Sequence, residues 1–258
     1  MAQYTNGLDA LNALNATNDG GSGGDAEFTS FKSGTSFKVR VIGKAAVQMA
    51  YGYSIYKKVK SFVAKNPSTR DENGYVSGNP TPWDKASEYY RKQSKQFQDA
   101  MSQEAYKYAG KPRFAMAFVN LADGETIILD FSKAQALAVS AVLTKYEKKL
   151  DKLAFELSKE GASTNTKVSL TPIIDMDEDL TDVERTNFGK GPTMETFDHG
   201  IFNGIWFEQD EAQMVALLKQ AGFDVSLIGY SDAPNKPIEG DFTPSDKPLD
   251  VEEDDLPF

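Results

Sequence analysis

The sequence predicts an α+β fold. It reads as an OB-fold-like β-barrel with helical insertions over 28–230, flanked by a flexible N-terminal arm (1–27) and a disordered acidic C-terminal tail (231–258). Three observations predict this. Five or so short strand-like runs of period two are interrupted by runs of helical period, which fits a small barrel with insertions. The stretch NDGGSGGD at 18–25 holds no fixed backbone and reads as a linker. From Ser231 onward the chain is rich in Pro and acid and cannot bury enough apolar surface to fold.

Taken in order, Leu8, Leu11 and Leu14 recur at roughly helical spacing in the arm. Two readings stand for it: a disordered leader, or a small docking helix through which the chain self-associates. SFKVRVIG at 36–43 alternates Phe37, Val39 and Val41 with Lys38 and Arg40, a half-buried strand with a basic outer face. In 47–65, Met49, Tyr51, Tyr53, Ile55, Val59 and Val63 share the parity of a barrel interior, while Tyr56, Lys58, Lys60 and Phe62 share the outer one. Gly52 marks a bulge or break that swaps the parities beyond it. Residues 66–82 are turn chemistry throughout, and Thr81 with Pro82 then starts a helix that runs to Gly110. RFAMAFVNL and TIILDF are strands around the turn Ala122–Asp123–Gly124. Ser132 and Gln135 form a capping box for a long helix over about 133–160. KVSLTPII at 167–174 is a further strand, 175–192 an acidic loop with one helical turn, and 194–207 aromatic strand-like sequence. A last amphipathic helix over 208–223 places Met214, Val215, Leu217 and Leu218 on its apolar side.

Composition excludes several function classes. There is no cysteine, so disulfides, thiolate metal sites and cysteine nucleophiles are out. No run approaches a membrane span, and the N-terminus lacks the pattern of a secretion signal. The expected compartment is the cytoplasm, that of a host if the protein is viral, with no membrane partner. Asp175, Asp177 and Asp179 alternate like the start of a calcium loop, but Leu180 stands where its glycine belongs and Thr186 where its glutamate belongs. His199 is the only histidine, and GKGP at 189–192 lacks phosphate-loop spacing. No catalytic residue, metal or cofactor is expected.

The net charge of -10 hides an uneven distribution. Between Lys32 and Arg113 there are sixteen Lys and Arg against six Asp and Glu; between Ser231 and Phe258 there are two Lys against nine acids. A basic body and an acidic tail are the footprint of a chain that handles a polyanion. Single-stranded nucleic acid offers a charged backbone and exposed base faces, and holding it without reading sequence takes cations along a groove and flat rings for stacking. The candidate binding set is Lys38, Arg40, Tyr51, Tyr53, Tyr56, Lys57, Lys58, Lys60, Phe62, Tyr89, Tyr90, Arg91, Lys92, Arg113 and Phe114.

The sequence closes on DVEEDDLPF, where an apolar triplet follows a run of acids. An aromatic beside a free carboxylate suits capture by a pocket with a basic rim. EEDDLPF resembles the C-terminal tip of single-stranded DNA-binding proteins of bacteria and their phages. In that family the tip recruits replication and repair proteins, and the tail competes with DNA for the basic groove. The resemblance puts those roles on Asp254, Asp255, Leu256, Pro257 and Phe258. Residues 111–142 are similar in pattern to the core of the T4-type phage helix-destabilising protein, with an aromatic strand, a turn, a second strand and a helix. That protein carries a zinc subdomain, and a chain with no cysteine and one histidine lacks its ligands; the predicted helix at 83–110 stands in the equivalent place. The resemblance implies a divergent phage member of the class.

The expected function is sequence-independent binding and protection of single-stranded DNA in replication, recombination and repair, with the tip recruiting partner proteins and no enzymatic activity. Two alternatives are an interaction adaptor of the replication machinery and a metal-dependent nuclease using the acids at 175–179.

Overall fold

The computed structural model describes residues 5–6, 27–161 and 165–231. The 250–258 tip, the linker at 18–25 and the leucines of the arm lie outside them. Among the described residues the fold is α+β, with strands β1 (Thr5–Asn6), β2 (Ser36–Val41), β3 (Val47–Ile55), β4 (Val59–Ala64), β5 (Thr69–Arg70), β6 (Val76–Gly78), β7 (Lys111–Asn120), β8 (Thr126–Ser132), β9 (Ala154–Glu160), β10 (Lys167–Ile173) and β11 (Glu208–Gln209). The helices are α1 (Pro82–Arg91), α2 (Ala100–Tyr108), α3 (Lys133–Lys145), α4 (Met176–Asp179), α5 (Asp182–Lys190) and α6 (Glu211–Ala221).

β7 organises the main sheet. One edge pairs with β8 from Arg113 to Val119 through an antiparallel hairpin. Its turn needs Gly124, whose φ of 82° favours glycine. The other edge of β7 is shared: β3 takes Lys111 to Met116, and β2 takes Phe118 to Asn120. The sheet then runs outward as β2–β9–β10 on one side and β3–β4–β11 on the other, with β1 on β3. Among the described residues the strand order is an open path, so the strands expected to form an OB-fold-like barrel make a sheet that does not close. β5 and β6 form a separate two-stranded hairpin inside the segment expected to be all turn.

Both faces of β7 are covered. Phe114, Met116 and Phe118 point to one side, where Ala136, Val139 and Leu143 of α3 close over them. Ala115, Ala117 and Val119 point to the other, where Phe202, Ile205 and Trp206 pack. A strand buried on both faces reads as a continuous apolar run, which is why FAMAFV does not alternate. A third cluster joins Tyr53, Phe62, Trp83, Tyr108, Met214, Leu218 and Phe223 at the outer end of the β3–β4 hairpin. Burying each large side chain of this kind contributes about 1.5–3 kcal/mol.

Five more expected elements differ. The 175–192 stretch, expected to be an acidic loop with one helical turn, carries the two helices α4 and α5. The helix over 83–110 is two helices, broken at 92–99. The long helix stops at Lys145, and β9 occupies 154–160, pairing with both β2 and β10. The 47–65 stretch is a hairpin turning at Tyr56–Lys58, and the irregularity expected at Gly52 falls between Tyr53 and Ile55. Residues 194–207 are irregular apart from a 3-10 turn at His199–Phe202. No helix among the described residues is long and apolar enough to cross a membrane.

Candidate nucleic-acid interface

α1 presents two unlike faces. Thr81 caps it by accepting the Asp84 backbone N–H at 3.1 Å, and Pro82 opens its first turn. Trp83 and Ala86 are fully buried, and Trp83 Nε1 donates to the Met214 carbonyl at 3.0 Å. Ser87 Oγ donates to the Ala105 carbonyl at 2.8 Å, locking α1 to α2. The opposite face, carrying Lys85, Glu88, Tyr89, Arg91 and Lys92, borders a groove of about 1060 Å³. Its other wall is the β5–β6 hairpin, with Tyr75 61% exposed; Tyr106 of α2 (41% exposed) and Gly110 complete it.

The groove wall is held by a buried ion pair. Arg70 of β5 donates through Nη2 to Asp84 Oδ1 at 2.8 Å, and both side chains are almost fully enclosed. Asp84 also accepts from the Tyr53 hydroxyl at 3.0 Å and from Thr81 Oγ1 at 2.7 Å. Arg70 Nη1 donates to the Gly74 carbonyl at 3.0 Å, and its guanidinium lies 3.9 Å from the Tyr51 ring centroid. Burial, reinforced by the Asp84 charge, pushes the Tyr53 phenol far above its ordinary value, so it stays a donor. Burial likewise pushes Tyr108 up to about 12. This network ties the β5–β6 hairpin to the N-terminus of α1 and fixes the groove's width.

The groove's cations are loosely held. Arg91 Nε stands 3.8 Å from Glu88, and Lys92, whose side chain is 74% exposed, stands 3.6 Å from the same carboxylate. Exposed pairs of this kind contribute little, so a phosphate can displace Glu88 at small cost. Lys85 donates to the Tyr230 hydroxyl at 3.0 Å. Lys111 lies 4.6 Å from the Tyr106 ring centroid.

Of the predicted binding set, the groove brings together Tyr89, Arg91 and Lys92. The rest divides. Tyr53, Phe62 and Phe114 are corrected to core residues, exposed 1%, 2% and 0%; their neighbours Gly52, Val63 and Ala115 are buried as well, so at these positions neither parity is an outer one. Tyr51 is half-buried under Arg70, and Tyr90 stacks on Tyr108 at 5.7 Å. Arg40 is also corrected: it is buried, and its Nη1 donates to the carbonyls of Phe188 at 3.0 Å and Gly191 at 2.6 Å. Lys38 bonds Glu184 at 3.1 Å and the Asp179 carbonyl at 2.7 Å. Helix α5 covers the face of β2 that alternation marked as outer. Burial raises the Glu184 carboxyl, but hydrogen bonds from Thr181 and Lys38 outweigh it and hold the group below its ordinary value. Arg113 pairs with Asp130 at 2.7 Å, both largely buried. Tyr56, Lys57 and Lys58 stand at the β3–β4 turn and Lys60 on β4, and none of them lines the groove.

Arg70, Tyr75, Lys85 and Tyr106 were missed. The turn-like sequence of 66–82 hid Arg70 and Tyr75, although the basic surplus of 32–113 had counted Arg70 and Lys85. Asp175 accepts the backbone N–H groups of Asp177 and Glu178 as a helix cap, and no cluster of three or more metal-ligating side chains occurs among the described residues.

The chain matches no family model, no curated protein and no solved structure.

Proposed function

We propose that this protein binds single-stranded nucleic acid, DNA in the first instance, without reading its sequence. The observation that carries the reading is the groove between α1 and the β5–β6 hairpin, where exposed tyrosines and loosely paired cations line one concave surface. Arg91 and Lys92 contact phosphates, and the exposed Tyr75 and Tyr106 offer faces to unpaired bases, with the half-buried Tyr89 packed against the core. The mechanism is equilibrium binding, in which displaced counterions make affinity fall with salt. The scaffold in this reading is an OB-like mixed sheet, mostly antiparallel, left open rather than closed into a barrel. The protein acts in replication, recombination and repair, and Asp254, Asp255, Leu256, Pro257 and Phe258 recruit partner proteins. The reading as a divergent phage member of the single-stranded DNA-binding class rests on the tip and on 111–142.

The test is a gel shift of labelled oligo(dT) with unlabelled single-stranded DNA, duplex DNA and RNA as competitors. Single-stranded DNA is expected to compete best. Equal competition by duplex, or no shift at all, would sink the reading.

A further inference from the structure

Between α1 and α2 the chain crosses residues 92–99 and presents Phe97, which is 91% exposed. Its position is built. The Asp99 carboxylate accepts the backbone N–H groups of Lys95 at 2.7 Å, Gln96 at 3.3 Å and Ser102 at 2.7 Å, and the Ser94 hydroxyl at 2.9 Å. These bonds hold that carboxyl well below its usual range. Gln98 adopts a φ of 61°, in the left-handed region that non-glycine residues seldom enter, and its carbonyl accepts Gln103 Nε2 at 3.1 Å. A short link stabilised in this way presents one large ring to solvent.

The surroundings specify the occupant. Arg91, at the end of α1, and Lys92 and Gln93, at the start of the link, line the groove, and Phe97 follows four residues after Gln93. Lys95 stands two residues before the ring, and the link's one acid, Asp99, is engaged with backbone donors. A ring on the link that leads out of a basic groove, two residues after Lys95, fits a base attached to a phosphate backbone, and a link whose backbone is already held loses little freedom on binding.

We propose that Phe97 is a stacking finger: it takes the face of an unpaired base in a strand that runs along the α1 groove, and it contributes the preference for single strands over duplex. The inference rests on the single-strand reading above. A base is available to the ring only when unstacked from its own neighbours, whereas Arg91 and Lys92 can hold phosphates of either form.

The test is fluorescence anisotropy with labelled oligo(dT) and labelled duplex. Phe97→Ala is expected to weaken oligo(dT) binding by about 5- to 150-fold, the range of base–aromatic stacking. Duplex binding and the salt slope should stay unchanged, so the preference for single strands falls. Phe97→Trp should restore affinity. Both native tryptophans, Trp83 and Trp206, are buried, so the new indole reports separately, and oligo(dT) should quench it. The inference is overturned if Phe97→Ala binds oligo(dT) as wild type does, or if the Phe97→Trp emission does not respond at saturation. Loss of a protein contact by Phe97→Ala with unchanged DNA binding would also overturn it. Wild-type protein that fails to bind oligo(dT) removes the single-strand reading itself; wild-type binding with an unaffected Phe97→Ala removes the finger alone.

Discussion

Arg40 is held by two backbone carbonyls, and Asp84 answers the charge of Arg70 inside the protein. Both arginines came from the basic stretch that suggested a polyanion partner. A residue's type sets what it can bind, but its burial decides whether that partner is internal. The Arg70–Asp84 pair is enclosed, and removing one charge strands the other. Asp84→Asn is expected to lower the unfolding free energy by about 3–5 kcal/mol, read by urea denaturation. A loss below about 1 kcal/mol, the scale of an exposed pair, would mean that Arg70 finds another anion. His199 offers a pH signature. Burial lowers its pKa, Asp198 opposes this only in part, and its Nδ1 is buried without a hydrogen-bond partner. The unfolded chain therefore takes up the proton at a higher pH than the native one. Its stabilising effect is complete above the ordinary histidine pKa of about 6.5 and is lost as pH falls through the lower native value. As the only histidine, it should give a fall in Tm on acidification from neutrality that His199→Gln removes. A Gln variant that tracks the wild type would assign the pH dependence elsewhere.

The starts of α1 and α3 were legible because they are written in adjacent residues. Thr81 and Asp84, and Ser132 and Gln135, form the reciprocal caps their spacing implies. The β7–β8 hairpin was legible for the same reason: two β-rich runs flank a turn ending in glycine. Helix ends were not. The stretch YEKKLDKLAFELSKE is full of good helix formers, yet from Ala154 it is a strand. β9 fills the space between β2 and β10, and two ladders of backbone hydrogen bonds override a propensity worth tenths of a kcal/mol per residue. Its alternation of Phe155 and Leu157 with Glu156 was a usable signal, masked by the helical reading. The break at 92–99 also had a local sign, since Asp99 caps α2 through Ser102 three residues on.

Across the whole molecule, charge and apolar surface are partitioned. Three clusters bury both faces of β7 and the α1–α2–α6 flank, and the groove opens outside them. The acidic 231–258 segment balances a body whose 32–113 region is strongly basic. If the tail occupies the groove in free protein, deleting 250–258 will tighten oligo(dT) binding at low salt, and the gain will vanish at high salt as screening weakens the competitor. Equal affinities with and without those residues at low salt would exclude such competition. The sequence by itself determined the α+β class, the hairpin around Gly124, the helix caps, and the separation of a basic region from an acidic one. Each of these is a local or compositional property. The tertiary structure alone decided that the sheet stays open, that Phe62 and Phe114 are core, that α5 covers Arg40, and that Tyr75 and Tyr106 meet Tyr89 and Arg91 across one groove. These depend on which elements pack over which faces, and alternation along one strand carries no record of what covers its second face.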